Sequence, residues 1–146
     1  SEPVTLNRAA TVLPPPPSTT QMRLREFLAA EIQNGQVEVS KDRVRTTVGT
    51  LFASASDQLT GNNAQLFRKI GQAIELEPGP VRIEGHADSD RLSPSIEFPN
   101  NGALSEARAK TVADIIAREL SEPGRVSAVG IGDKRPIASN DTEAGR

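Results

Sequence analysis

The 146-residue chain contains no cysteine, tryptophan or tyrosine, and only one histidine. Without cysteine there are no disulfides, thiolate metal sites or cysteine nucleophiles. The compartment stays open, since cytosolic and periplasmic proteins both do without it. Four phenylalanines, Phe27, Phe52, Phe67 and Phe98, make up the whole aromatic content. That is too sparse for stacking on nucleic-acid bases, and it leaves Val, Ile, Leu and Ala to supply most of the buried area. Seventeen basic against nineteen acidic side chains give a net charge of −2 with no basic block, which argues against nucleic acid as a partner. A lone histidine cannot assemble a metal cluster, and the chain has no G-x-S-x-G, H-E-x-x-H or Walker loop. Neither catalysis nor a cofactor or metal is therefore expected. No apolar run approaches the ~20 residues that span a bilayer, and the N-terminus lacks a basic region followed by an apolar core. Membrane attachment is expected only through a segment outside this sequence.

What is present divides into three parts. Residues 1–21 hold Pro14-Pro15-Pro16-Pro17 and then Ser-Thr-Thr, a polyproline-biased composition that reads as a tether rather than a proline-motif ligand. Residues 22–50 read as a leading helix and a β-hairpin. Leu24, Phe27, Leu28 and Ile32 form one helical stripe over 22–33, closed by Asn34-Gly35, and Val37, Val39, Val44, Thr46 and Val48 alternate about a turn at Lys41-Asp42. Residues 51–146 carry the rest. Helical spacing predicts a helix over about 60–76, Val81 and Ile83 alternate as a strand, a second long helix runs near 102–120, and Val126, Ala128 and Val129 make a further strand before a polar tail. This order predicts an α/β (α+β) two-layer sandwich, with a βαβαβ-type mixed sheet carrying both long helices on one face.

The stretch from Val81 to Arg108 concentrates the chemistry. A strand ending at Gly85-His86-Ala87-Asp88 delivers a carboxylate to the sheet edge where ligands of α/β proteins commonly sit. A helix opening near Asn101 to Ser105 brings Arg108 back toward it. A fixed carboxylate and a fixed guanidinium suit a zwitterionic ligand. On the residues alone, Asp88 as a turn cap and Arg108 as a solvated helix charge are the commoner roles. His86 reads as a structural hydrogen-bonding group and Asn101 as a helix N-cap.

Gly85-His86-Ala87-Asp88, followed by Asn101-Gly102-Ala103-Leu104-Ser105-Glu106-Ala107-Arg108-Ala109, resembles the signature of OmpA-like (OmpA/MotB C-terminal) peptidoglycan-binding domains. Phe52-Ala53-Ser54-Ala55-Ser56 is similar to the family's F-x-x-G-S loop, and Gly130-Ile131-Gly132, Pro136 and Asn140-Asp141-Thr142 to its closing segment. The loop with Phe98-Pro99 and the leading helix resemble the periplasmic modules of type VI secretion membrane components, of the evolved TssL or TagL type, with flagellar stator modules as the other option. The resemblance implies noncovalent binding of peptidoglycan through the meso-diaminopimelate of the stem peptide. Asp88 would take the ammonium and Arg108 the carboxylate, with backbone groups near Ala87 and Asn101 completing the hydrogen bonds. It also implies a periplasmic domain of an inner-membrane protein, with envelope or secretion-complex subunits as further partners.

Two departures weaken the pattern: Ala87 stands where the family usually has threonine, and Gly102 where it often has tryptophan. The sequence also stops before the family's N-R-R-V-E strand. Without that strand, an edge is expected to be left open to self-association as a homodimer. Two alternatives follow. One is an OmpA-like structural or interaction domain that binds no ligand. The other is a cell-wall hydrolase using Asp88, Asp90 and Glu97, whose separations the sequence does not fix at the ~5 to 9 Å that such chemistry needs.

Overall fold

The computed structural model describes residues 18–48, 50–86 and 100–132 together with Pro16 and Phe98, and the backbone of 139–142. The first helix, α1 (Thr19–Phe27), starts inside the stretch read from sequence as tether, because the Ser18 hydroxyl caps it by accepting the Gln21 N–H at 3.1 Å. The leading helix is two pieces rather than one. It breaks at Leu28, whose φ of −100° and ψ of 20° lie off the helical values, and resumes as α2 (Ala29–Gln33). Both Leu24 and Leu28 nevertheless remain fully buried.

The hairpin is present as β1 (Val37–Ser40) and β2 (Arg43–Thr46), paired antiparallel with Val39 opposite Val44. Val37, Val39, Val44 and Thr46 are buried on one face. Lys41 enters the turn with a φ of 55°. Helix α3 (Asn63–Glu75) buries Leu66, Phe67, Ile70, Ala73 and Ile74, the stripe read from the sequence. Then follow β3 (Val81–His86), α4 (Asn101–Arg118), a single 3₁₀ turn at Pro123–Arg125, and β4 (Val126–Gly132). Strands β3 and β4 run parallel, joined through α4.

Residues 139–142, read from sequence as part of a polar tail, form β5 (Ser139–Thr142). This strand lies antiparallel between β2 and β3, so the sheet order is β1-β2-β5-β3-β4. The gap between hairpin and parallel pair is therefore bridged, and the open edges among the described residues are β1 and β4. The sequence gives no sign of β5 because Ser-Asn-Asp-Thr has no apolar alternation, so pairing rests on its backbone groups.

Val81 and Ile83 turn inward beneath α3 and α4, where Ile70, Ile74, Val112 and Ile116 complete one core that also takes in Leu24 and Leu28. The result is the two-layer mixed α/β sandwich expected, with five strands in one sheet.

Candidate functional site

The carboxyl ends of β3 and β4 and the first turns of α4 meet at one end of the sheet because two glycines let them. A Cβ on Gly85 would overlap the Ser105 carbonyl oxygen, and one on Gly130 would overlap the backbone of Glu106. The helix therefore rests directly on the strand backbones. Ser105, fully buried, fixes the contact: its hydroxyl donates to Gly102 O at 3.0 Å and accepts the Gly132 N–H at 2.8 Å. The helix cap is Asn100, whose side chain accepts the Ala103 N–H at 2.8 Å. Asn101, read from sequence as the cap, is instead the first helical residue. The cap sits one position earlier because Asn100 has the extended backbone that a capping side chain needs.

Arg108 projects from α4 to the loop that precedes α3. That loop closes on itself through a bridge between Phe52 and Leu59, Ala53 N–H donating to Gln58 O at 2.9 Å, and Ser56 N–H donating to Ala53 O at 3.1 Å. Ala55 supplies the reversal with a left-handed φ of 54° at the position where the family motif carries glycine. The closed loop turns two carbonyls toward the helix. Arg108 Nε donates to Ser56 O at 2.8 Å and Nη2 to Ala53 O at 3.3 Å. The guanidinium lies over the Phe52 ring, 4.9 Å from its centroid. Burial pushes the Arg108 pKa down while the Asp57 carboxylate pulls it up, and the net displacement is downward. An arginine stays charged under such a shift. Among the described residues no carboxylate lies within ion-pair distance of it, so this half-buried cation is held by neutral acceptors.

Of the other residues singled out by sequence, Ala87 and Asp88 lie outside the described residues, as do Asp90 and Glu97. Strand β3 ends at His86, two positions before Asp88. His86 is nearly buried, with Nε2 3.9 Å from Glu84 Oε1, and Glu84 in turn accepts from Arg82 at 2.7 Å. Among the described residues no group of three or more His, Asp or Glu side chains could hold a metal, and no helix is long and apolar enough to cross a membrane. Sequence reasoning missed the parts played by Ser105 and by the Ala53 and Ser56 carbonyls. The motif signalled the serine and the loop without saying what either one bonds.

Residues 51–146 match the OmpA family. This chain belongs to that family. The OmpA-family chain is 45% identical over 105 residues to outer membrane porin F of Pseudomonas aeruginosa, an alignment covering 70% of this chain and 29% of the porin. It is also similar to the solved cell wall anchor of the T6SS from Pseudomonas aeruginosa, with a TM-score of 0.69 and 35% identity over 81% of this chain and 85% of that one. A putative MotB-like protein from Desulfovibrio vulgaris shares the fold, with a TM-score of 0.65 and 20% identity over 80% and 75% of the two chains. Curated relatives are longer than this OmpA-family chain, which spans 19% to 55% of their lengths.

Proposed function

We propose that this OmpA-family domain binds peptidoglycan noncovalently through the meso-diaminopimelate of the stem peptide, anchoring an envelope secretion complex to the cell wall from the periplasm. The observation that carries the reading is Arg108, a half-buried cation without a carboxylate partner among the described residues, held by the loop carbonyls and Phe52 on the helix whose first turns rest on the ends of β3 and β4. A guanidinium fixed in this way is suited to the ligand's carboxylate, and Asp88 is proposed to take its ammonium. Backbone groups at Ala87 and Asn101 are proposed to complete the contacts. Similarity to the cell wall anchor of the T6SS at 35% identity supports the secretion setting over a flagellar stator, whose MotB-like neighbour shares the fold at 20% identity. The family match supports a binding module rather than a hydrolase.

Co-sedimentation with purified sacculi tests the proposal. The chain should pellet with sacculi whose stem peptides carry diaminopimelate and much less with those carrying lysine at that position. Arg108→Ala and Asp88→Ala should each weaken binding about 10- to 100-fold, the equivalent of one charge-assisted hydrogen bond of ~1.5–3 kcal/mol. Equal pelleting of the wild type and both variants would leave the ligand-free structural domain standing. Release of muropeptides would make the chain a hydrolase.

A further inference from the structure

We infer that the loop around Phe52 sets which edge of the Arg108 guanidinium meets the ligand, an inference that rests on the peptidoglycan reading and sharpens it. A guanidinium has two edges able to grip a carboxylate with paired N–H groups: the side edge formed by Nε and one Nη, and the end edge formed by the two Nη nitrogens. Here the side edge is taken. Nε donates to Ser56 O at 2.8 Å and Nη2 donates to Ala53 O at 3.3 Å. Both acceptors are backbone carbonyls of a loop closed by its own hydrogen bonds, so they stay in place when a ligand arrives.

Phe52 covers one face of the guanidinium plane at 4.9 Å, which restrains rotation about the end of the side chain. Among the described residues, the donors that remain are both hydrogens of Nη1 and the second hydrogen of Nη2; one hydrogen from each nitrogen forms the end edge, and the other Nη1 hydrogen points back along the side chain. The ligand carboxylate is therefore received end-on. Phe52 and the Ala53 and Ser56 carbonyls are positioning groups that need not touch the ligand. The geometry also explains how one arginine can be both part-buried and ready to bind: the loop satisfies the edge facing the protein, and no described residue pairs with the opposite edge.

Side-chain NMR of the full nitrogen-15-labelled chain tests this, with a stem peptide containing meso-diaminopimelate as the probe. In the free protein the Arg108 Nε–H should exchange with water at least tenfold more slowly than the Nε–H of the exposed Arg68 or Arg118. On adding the peptide its resonance should move less than the Arg108 Nη resonances, whose rotation should slow. Phe52→Leu should weaken peptide binding about threefold, and Phe52→Tyr, which keeps the ring face, should restore it. An Nε–H that exchanges as fast as the exposed ones, or that moves more than the Nη groups on binding, overturns the inference while leaving peptidoglycan binding intact. Slow Nε–H exchange with no peptide binding at all overturns the peptidoglycan reading and leaves the clamp standing. If Phe52→Leu lowers the unfolding midpoint, the exchange measurement on the wild type still decides the matter.

Discussion

Ser105 and Arg108, one helical turn apart on α4, divide the work where the first turns of the helix meet the ends of β3 and β4. Ser105 faces inward and ties the helix to the end of β4 through the Gly132 N–H, while Arg108 reaches sideways to the loop carbonyls. Ser105→Ala removes the acceptor of a buried N–H without giving it another, which should cost about 1–3 kcal/mol. Urea unfolding followed by circular dichroism should show the lower midpoint at an unchanged slope, and an unshifted midpoint would mean that the hydroxyl is dispensable. The sequence shows Arg108 as a charge in the right motif, since a guanidinium on a polar helix face is visible in the letters. It could not show the clamp, because carbonyl acceptors belong to every residue alike and Ala53 and Ser56 lie 55 and 52 positions away. Ser105 was hidden for a related reason: its hydroxyl bonds a glycine N–H, and nothing in a glycine's identity announces that bond.

Between elements, the most consequential polar contact is the one that ties α1 to the turn after α3. Glu77, 3% exposed, accepts from Arg23 Nε at 2.6 Å and from the Thr20 hydroxyl at 2.8 Å, and its own carbonyl accepts from Arg125 Nη2 at 2.5 Å. Burial raises the Glu77 pKa, but the hydrogen bonds from Arg23 and Thr20 and the nearby Arg23 and Arg125 charges outweigh it, and the net displacement is downward. A carboxyl group depressed in the folded chain contributes stability above its unfolded value of about 4.3, and that contribution is lost as pH falls through the lower folded value. Glu77→Gln should therefore cost about 1.5–3 kcal/mol near neutral pH. The gap between wild type and variant should stay constant above the unfolded value, narrow as pH falls below it, and close only below the folded one. Chemical unfolding at several pH values checks this, and a gap that stays constant down to the lowest pH would mean that the Glu77 charge contributes nothing. The contrast between elements also shows where sequence reading fails. The β1–β2 hairpin could be read because Val37, Val39, Val44 and Thr46 alternate onto the core. The Leu28 break could not, because the helical stripe continues across it. Strand β5 could not be read either, because its place between β2 and β3 comes from backbone pairing rather than from side-chain pattern.

At the scale of the whole molecule, the stretch carrying the family signature and the stretch that folds are different lengths. The OmpA match begins at residue 51, and the composition of the sequence suggests the same division, with a leading helix and hairpin set ahead of the domain. Physically there is one core. Leu24, Leu28, Val37, Val39 and Val44, all buried, join the cluster that includes Phe67, Ile70, Ile83 and Ile116. The hairpin also contributes two of the five strands, and β2 is the neighbour that β5 pairs with on the side away from β3. At about 1.5–3 kcal/mol for each fully buried aliphatic side chain, those five residues are worth on the order of 10 kcal/mol. That is an upper estimate, because an unfolded chain already buries part of its apolar surface. It still matches the 5–15 kcal/mol of net stability typical of a domain. A fragment of residues 51–146 should therefore fail to unfold cooperatively, should bind a hydrophobic dye, and should not pellet with sacculi even though it retains Asp88 and Arg108. A fragment of residues 18–146 should unfold at the same urea midpoint as the full chain, since every residue of the described core lies at or beyond Leu24. A cooperative transition from 51–146 would show that the leading helix and hairpin are an appendage. Failure of that fragment beside an intact 18–146 would put the boundary of the folded OmpA-family unit at the Ser18 cap, 33 residues ahead of its family signature.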